Sequence, residues 1–419
     1  MSRVRSIGWR RGVVTAGLAA LAVATAGTAA DYETPSSRPV REAIPADLAA
    51  GPGYTVRDPV GADGYMYHFV VDSSYGVFDV VGIGALRKLA REIWAIGELK
   101  QITGSEVFLK SLASQATKPV QFAKNVITKP GETLTGVPKG VGRLMSNVST
   151  SISSDPDPSQ DSRAKELLLV GGFKRDYATR YGVDPYSSNK VLQDELDKIG
   201  KAAAFGSWTA TAAMMPIGGA AGTVLTATGL SQSFNNVLKN EPPSRIRTIN
   251  EEKLKQMGIP SDLATRYLDH PIYTPRHDLI LVDSLARLGT AAGRDAYLKA
   301  ALAAQDEDEA VFFVNTAQIM RGYHEMVGPV TRITMVNALP VVQARSGAAI
   351  IPFALDYGVW TANADKVSQY LKTSYRAPGF NKRFELWVLG TLSPMANQEL
   401  KARGFAVMER AGTRFEVID

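Results

Sequence analysis

The sequence predicts an α+β protein: a helix-rich body followed by a small C-terminal α/β domain that contains a βαβ unit. Three observations carry this. Apolar residues recur at helical spacing in several stretches between residues 86 and 324. From residue 331 onward the period changes to short apolar runs separated by turn residues. Between the last two runs, Ser393-Pro394 starts a helix and Gly404 stops it, which makes a strand–helix–strand unit with a parallel pair. The chain has 419 residues, 45% hydrophobic and 21% charged, with 14 Phe, 15 Tyr and 5 Trp. Such a composition excludes a wholly disordered protein, and the length suits two or three domains.

Residues 1–30 read as an export signal. Arg3, Arg5, Arg10 and Arg11 precede an uncharged apolar stretch from Val13 to Ala26, and small residues Gly27 to Ala30 come before Asp31. Cleavage after Ala30 is expected, and an uncleaved N-terminal anchor is the alternative. Arg10-Arg11 could belong to a twin-arginine signal, but Gly12-Val13-Val14 fits that pattern poorly and a general secretory signal is preferred. Four arginines and no acid leave with this segment, so the formal charge of +6 becomes +2. A charge that small gives no reason to expect nucleic acid as a partner. The expected destination is the periplasm or cell envelope, with secretion as a further possibility.

Residues 31–60 carry Pro35, Pro39, Pro45, Pro52 and Pro59 and read as an extended lead-in. Residues 61–145 begin with a hairpin: runs Tyr65–Val71 and Val77–Val81 flank Asp72, Ser73, Ser74 and Gly76. A helix follows from Leu86 to Leu99, with Leu86, Leu89, Ile93 and Ile96 on one stripe, and a second runs around Val107–Ala116. Residues 146–162 are serine-dense with two Asp-Pro steps, a linker by composition. Residues 163–330 read as a helical domain. Its helices cover Ala164–Tyr181 and Val191–Ile199, the latter capped by Ser188 or Asn189. Others start at Thr274-Pro275 and at Asp306–Glu309, the second with the stripe Ala310, Phe313, Ala317, Met320 and His324. Residues 331–419 form the α/β domain, with strands at Ile333–Val336, Val341–Ala344, Ala348–Ala354, Phe384–Leu389 and Phe405–Met408.

Two segments suit an apolar or anionic surface. Residues 202–238 are uncharged and contain Gly218-Gly219-Ala220-Ala221-Gly222, a spacing that permits close helix approach. They read as a buried helical hairpin or one that meets lipid. Residues 84–147 hold ten cations against four acids. Lys118, Lys124, Lys129, Lys139 and Arg143 there alternate with short apolar stretches and breakers, which suits an anionic membrane surface as well as an ordinary solvated face.

Catalytic motifs are scarce. Zero cysteine excludes disulfides, iron–sulfur clusters, cysteine-ligated zinc, a thiol nucleophile and a lipoprotein anchor. Gly82-Ile83-Gly84 lacks the third glycine of a dinucleotide turn, where Arg87 stands, and Lys139–Arg143 lacks the spacing of a phosphate loop. There is neither His-Glu-x-x-His nor Gly-x-Ser-x-Gly. No cofactor and no metal is expected. Four histidines occur: His68 in a strand run, His324 on an apolar stripe, and Asp269-His270 and His277-Asp278 around a turn. The last two pairs could place a base or ligand beside an orienting carboxylate, or serve as loop and helix caps. Asp356, Tyr357 and Trp360 follow an apolar strand, and the carboxyl ends of strands are where α/β sheets hold ligands. The same residues can simply pack over the sheet end.

These features favour an exported, non-enzymatic envelope protein that contacts an anionic membrane surface or an apolar small molecule. A hydrolase with a site near His270, His277 and Asp356 is the alternative, and a scaffold or partner-binding protein is the third class.

Overall fold

A computed structural model describes residues 32–105, 108, 171–204, 229–336 and 338–418. The export signal, the linker, most of the uncharged segment, and Lys118, Lys124, Lys129, Lys139 and Arg143 lie outside these residues. The described chain is helix-rich with mixed sheets toward its C-terminal end, an α+β fold.

The N-terminal part is built on a five-stranded antiparallel sheet. Its strands are β1 (Ala50–Gly51), β2 (Tyr54–Val56), β3 (Gly61–Ala62), β4 (Tyr67–Ser73) and β5 (Gly76–Val81). Strand β4 is central, pairing with β2 and β3 along one edge and β5 along the other. Tyr67, Phe69 and Val71 alternate inward along β4, as one covered face requires. The expected hairpin joins β4 to β5, and Ser73 Oγ accepts from Tyr75 N to form its turn. The lead-in differs from an extended strap. Pro39 and Pro45 each start a one-turn helix, α1 (Val40–Ala43) and α2 (Ala46–Ala49), and Ile44, Tyr54, Val56 and Val60 bury against the sheet. Proline fixes the φ that opens a helical turn, so a proline-rich stretch can be built into a core.

Helix α3 (Ile83–Thr103) crosses two cores. Leu86, Leu89 and Ile93 pack on the N-terminal sheet, and Ile96, Leu99 and Ile102 meet α4 (Gly172–Arg180) and α5 (Lys190–Ala204). Asn189 Oδ1 caps α5 by accepting from Val191 N and Leu192 N, and Leu192, Leu196 and Ile199 are buried as the stripe predicts. The helices continue as α6 (Gly229–Asn240), α7 (Pro243–Gln256), α8 (Ser261–Leu268), α9 (Pro275–Ala286), α10 (Arg294–Ala301) and α11 (Glu307–Met326). Thr274 caps α9 at the expected position, and Asp306 caps α11 by accepting from Glu309 N.

The C-terminal sheet runs β12-β10-β8-β7-β6. Strands β6 (Val330–Val336), β7 (Leu339–Ala344) and β8 (Ala349–Phe353) form an antiparallel meander, and β8, β10 (Phe384–Val388) and β12 (Phe405–Met408) are parallel. Two crossovers make this possible. The expected one is α13 (Pro394–Ala402), between β10 and β12, and a second helix, α12 (Ala362–Ser374), joins β8 to β10. Two short strands, β9 (Tyr357–Gly358) and β11 (Thr391–Leu392), pair in parallel beside the sheet. Helices lie on both faces. On β10, Trp387 meets Tyr323 of α11 at 5.1 Å, and its neighbour Leu386 points the other way, toward α12 and α13. Residues of α7–α13 and of this sheet share one hydrophobic core.

Candidate functional site

The layer between the C-terminal sheet and its two crossover helices is incompletely filled. A cavity of about 110 Å³ lies there. Its floor is sheet: Leu339, Ile351, Phe353, Leu386 and Phe405. Val367 and Leu371 of α12 and Ala396 and Leu400 of α13 cover it, and Gly64 and Tyr65, from the loop between β3 and β4, close one side. Apart from Tyr65, Asn363 and Ser368, the lining side chains carry no oxygen, and their only other polar atom is the Trp360 indole nitrogen. Interiors pack nearly as densely as organic crystals, so an apolar space of this size stands out; one of roughly 150 Å³ accepts benzene or xenon.

Trp360 is a wall of this cavity and is 2% exposed. Its position is fixed from behind. The Arg403 guanidinium lies 4.4 Å from the ring centroid and bonds Asp365 at 2.8 Å. Trp360 N donates to Glu33 Oε2 at 2.6 Å, Glu33 N donates to Trp360 O at 2.8 Å, and Ser393 Oγ donates to the same carboxylate. The rim is polar: Asn363 Nδ2 donates to the Tyr65 hydroxyl at 3.3 Å.

Asp356 and Tyr357 belong to the support of the cavity rather than its lining. Asp356 is a carboxylate shared by three segments. Its Oδ2 accepts from Tyr67 N of β4 at 3.1 Å, and both oxygens accept from Ile83 N, the first residue of α3. Helix α3 has Gly82 at its cap position and hence no capping side chain of its own, so Asp356 supplies the negative charge its N-terminus favours. Burial pushes the Asp356 carboxyl up to about 6, against the two N–H donors and Arg87. The loop holding it passes close to a neighbour: a Cβ at Gly390 would sit 1.9 Å from Asp356 O. Tyr357 stacks on Tyr67 at 6.0 Å, with the Arg38 guanidinium 4.3 Å from its ring centroid.

His270 and His277 are engaged elsewhere. The His270 ring meets Tyr273 edge-on at 5.3 Å, its Nδ1 accepts from Ile272 N at 3.4 Å, and burial holds its pKa below the usual histidine value. His277 completes the α9 capping box: its N donates to Thr274 Oγ1 and its Nδ1 accepts from Thr274 N, each at 3.3 Å. Burial lowers His277 to about 4, against the pull of Glu307. His270, His277 and Asp356 thus have separate sets of partners.

A second polar cluster joins α3 to α11. Lys88 Nζ bonds Glu307 Oε1 at 2.7 Å, Ser188 Oγ bonds Glu307 Oε2 at 2.5 Å, and Ser187 and Asn189 bond the buried Glu92 at 2.6 and 3.0 Å. Burial alone would lower the Lys88 pKa, but Glu92 and Glu307 hold it above the usual lysine value. Burial would likewise raise Glu307, and Lys88 with His277 brings it down to about 2. A lysine held charged in this way is a tether and no general base. Among the described residues no three metal-ligating side chains converge, and no helix is long and apolar enough to cross a membrane.

Of the residues singled out in the sequence, Trp360 lines the cavity; Tyr65, Asn363 and helix α12, which also line it, were not singled out. The signals were present: Thr361 is a helix cap that accepts from Ala364 N, and Val367 and Leu371 are four apart on one face. Compared with known protein families, curated proteins and solved structures, the chain matches none.

Proposed function

We propose that this is an exported, non-enzymatic cell-envelope protein that binds a small apolar molecule between its C-terminal sheet and helices α12 and α13. One observation carries the reading: a cavity of about 110 Å³ with an almost wholly apolar lining, beside a tryptophan braced by Arg403 and Glu33. The volume suits a single ring or a short branched chain of about six heavy atoms. Contact with an anionic membrane surface through Lys118, Lys124, Lys129, Lys139 and Arg143 belongs to the same envelope role but draws no support from the described residues. The hydrolase alternative is weaker, because His270 and His277 are committed to local backbone contacts.

Fluorobenzene titrated into the protein and followed by ¹⁹F NMR tests this. Saturable binding is expected, and Val367→Phe, which fills the space from α12, is expected to abolish it while the protein stays folded. Absence of saturable binding, or binding unaffected by Val367→Phe, refutes the site. Export predicts a secreted or periplasmic product whose N-terminus is Asp31; an intact Met1 product in the cytoplasm refutes it.

A further inference from the structure

Four side chains that line the apolar cavity carry a nitrogen or an oxygen: Tyr65, Trp360, Asn363 and Ser368. Three of them are engaged within the protein. Asn363 Nδ2 donates to the Tyr65 hydroxyl at 3.3 Å, and the buried Ser368, on α12, gives its hydroxyl proton to Asp365 O at 2.8 Å. Trp360 differs. Its side chain is enclosed, the residue being 2% exposed, and its indole Nε1–H, which can only donate, has no hydrogen-bond partner among the described residues. Enclosed indole N–H groups usually find an acceptor. Trp387, on the other face of the same sheet and equally buried, does so: its Nε1 donates to Glu385 Oε2 at 3.1 Å. The remainder of Trp360 is held. Glu33 takes its backbone N–H at 2.6 Å and donates to its carbonyl at 2.8 Å, and the Arg403 guanidinium lies 4.4 Å from its ring centroid.

We propose that Trp360 sets the specificity of the cavity: the bound molecule is compact, uncharged and mostly apolar, and carries one oxygen acceptor, as a small ketone, ether or ester does, which the indole N–H receives. The proposal rests on the cavity being a binding site and names the class of molecule that fills it. A wholly apolar occupant leaves the indole N–H dry and unpaired, and an unmade bond at an enclosed donor is costly. An anion gains little more than a neutral acceptor does. The Arg403 charge beside the ring is already balanced by Asp365 at 2.8 Å and by Glu399, so an anion would give up its hydration without meeting net positive charge. A cationic or donor-only group sets donor against donor. An acceptor oxygen satisfies the N–H and leaves the hydrocarbon part of the molecule against Ile351, Phe353, Val367 and Leu371. Because Glu33 and Arg403 hold the tryptophan before any ligand arrives, little ordering of the donor is needed on binding.

The test compares cyclopentanone with methylenecyclopentane, two molecules of matched size and shape that differ in an acceptor oxygen against a methylene group. Each is titrated into the ¹⁵N-labelled full chain and followed by the Trp360 indole N–H signal, assigned by through-bond NMR. Cyclopentanone is expected to move the proton resonance of that signal downfield and saturably, and methylenecyclopentane to bind without that shift. Trp360→Phe keeps an aromatic wall and removes the N–H. In that variant the affinity ratio of ketone to alkene is expected to fall about fivefold, the worth of one neutral hydrogen bond. The ratio cancels a change of cavity volume that both molecules feel, and the wild-type indole signal decides the question even where the variant does not fold. An indole signal that cyclopentanone leaves in place, or a ratio unchanged in Trp360→Phe, overturns the assignment of the donor. Binding of fluorobenzene or methylenecyclopentane in that case leaves the cavity itself standing as an apolar site. If neither of the matched molecules nor fluorobenzene binds saturably, the binding site is refuted and the assignment of the donor falls with it.

Discussion

Leu371 sits on α12, 2% exposed, with its side chain on the cavity wall. Leu371→Ala removes three carbons from that wall. At about 0.8 kcal/mol for each, the lost transfer free energy is about 2.4 kcal/mol. If about 50 Å³ of the vacated volume stays open and joins the existing cavity, the void adds about 1.2 kcal/mol at 24 cal/mol per Å³. The expected loss is therefore about 3.6 kcal/mol, read from urea unfolding as a lower midpoint with an unchanged slope. Benzene should then return part of it: at ten times its dissociation constant, an occupant of the folded state adds about 1.4 kcal/mol. The enlarged cavity should respond to benzene at lower concentration than wild type. A loss below about 1 kcal/mol would show that the space is already filled or that Leu371 faces water. A full loss with no benzene response would leave a core position but no accessible cavity.

Two further outcomes test the buried polar groups. His277 titrates near 4 in the fold and near 6.5 when unfolded, so the native state refuses a proton that the unfolded chain accepts. Its contribution is fully present above about pH 6.5 and fades as pH falls toward 4, by about 2 kcal/mol between pH 7 and pH 5. His277→Gln keeps an acceptor for Thr274 N; measured against wild type at each pH, its relative stability should improve by that amount from pH 7 to pH 5, and a constant difference would contradict the assignment. Lys88→Met removes the cation from Glu307 and the buried Glu92, and because the Lys88–Glu307 pair is only half-buried it should lower stability by about 1.5 kcal/mol, the lower end for a lost hydrogen bond to a charged group. A loss under about 0.5 kcal/mol in urea unfolding would show that the pair exchanges freely with water.

Local signals in the sequence carried well into the structure. Thr274-Pro275 starts its helix as expected, Asn189 of the pair Ser188 or Asn189 caps the next, and the acidic run from Asp306 opens a helix as expected, because such signals depend on a few neighbouring atoms. The stripe Leu86, Leu89, Ile93 and Ile96 is buried, and the β10–α13–β12 unit pairs in parallel, because period and turn chemistry are local too. What the sequence hides is distance. Asp356 bonds Tyr67 and Ile83, 289 and 273 residues earlier, and nothing near residue 356 announces those partners. The cavity is hidden for a related reason: it is the space left when two crossover helices settle on one sheet face, a property of packing rather than of any motif. Helix α12 escaped notice because its apolar face is narrow, resting on Val367 and Leu371 amid polar residues. The histidine pairs misdirect in the other direction: a His beside an Asp resembles a ligand set, whereas His277 is a helix cap and His270 a ring packed on Tyr273.

Crystals of the protein equilibrated under xenon pressure put the most direct question to the C-terminal layer. A xenon peak enclosed by Phe353, Val367, Leu371 and Leu400, and lost in Val367→Phe, is the predicted result. A layer that takes up no xenon, or that side chains fill completely in wild type, would contradict a ligand-binding role there.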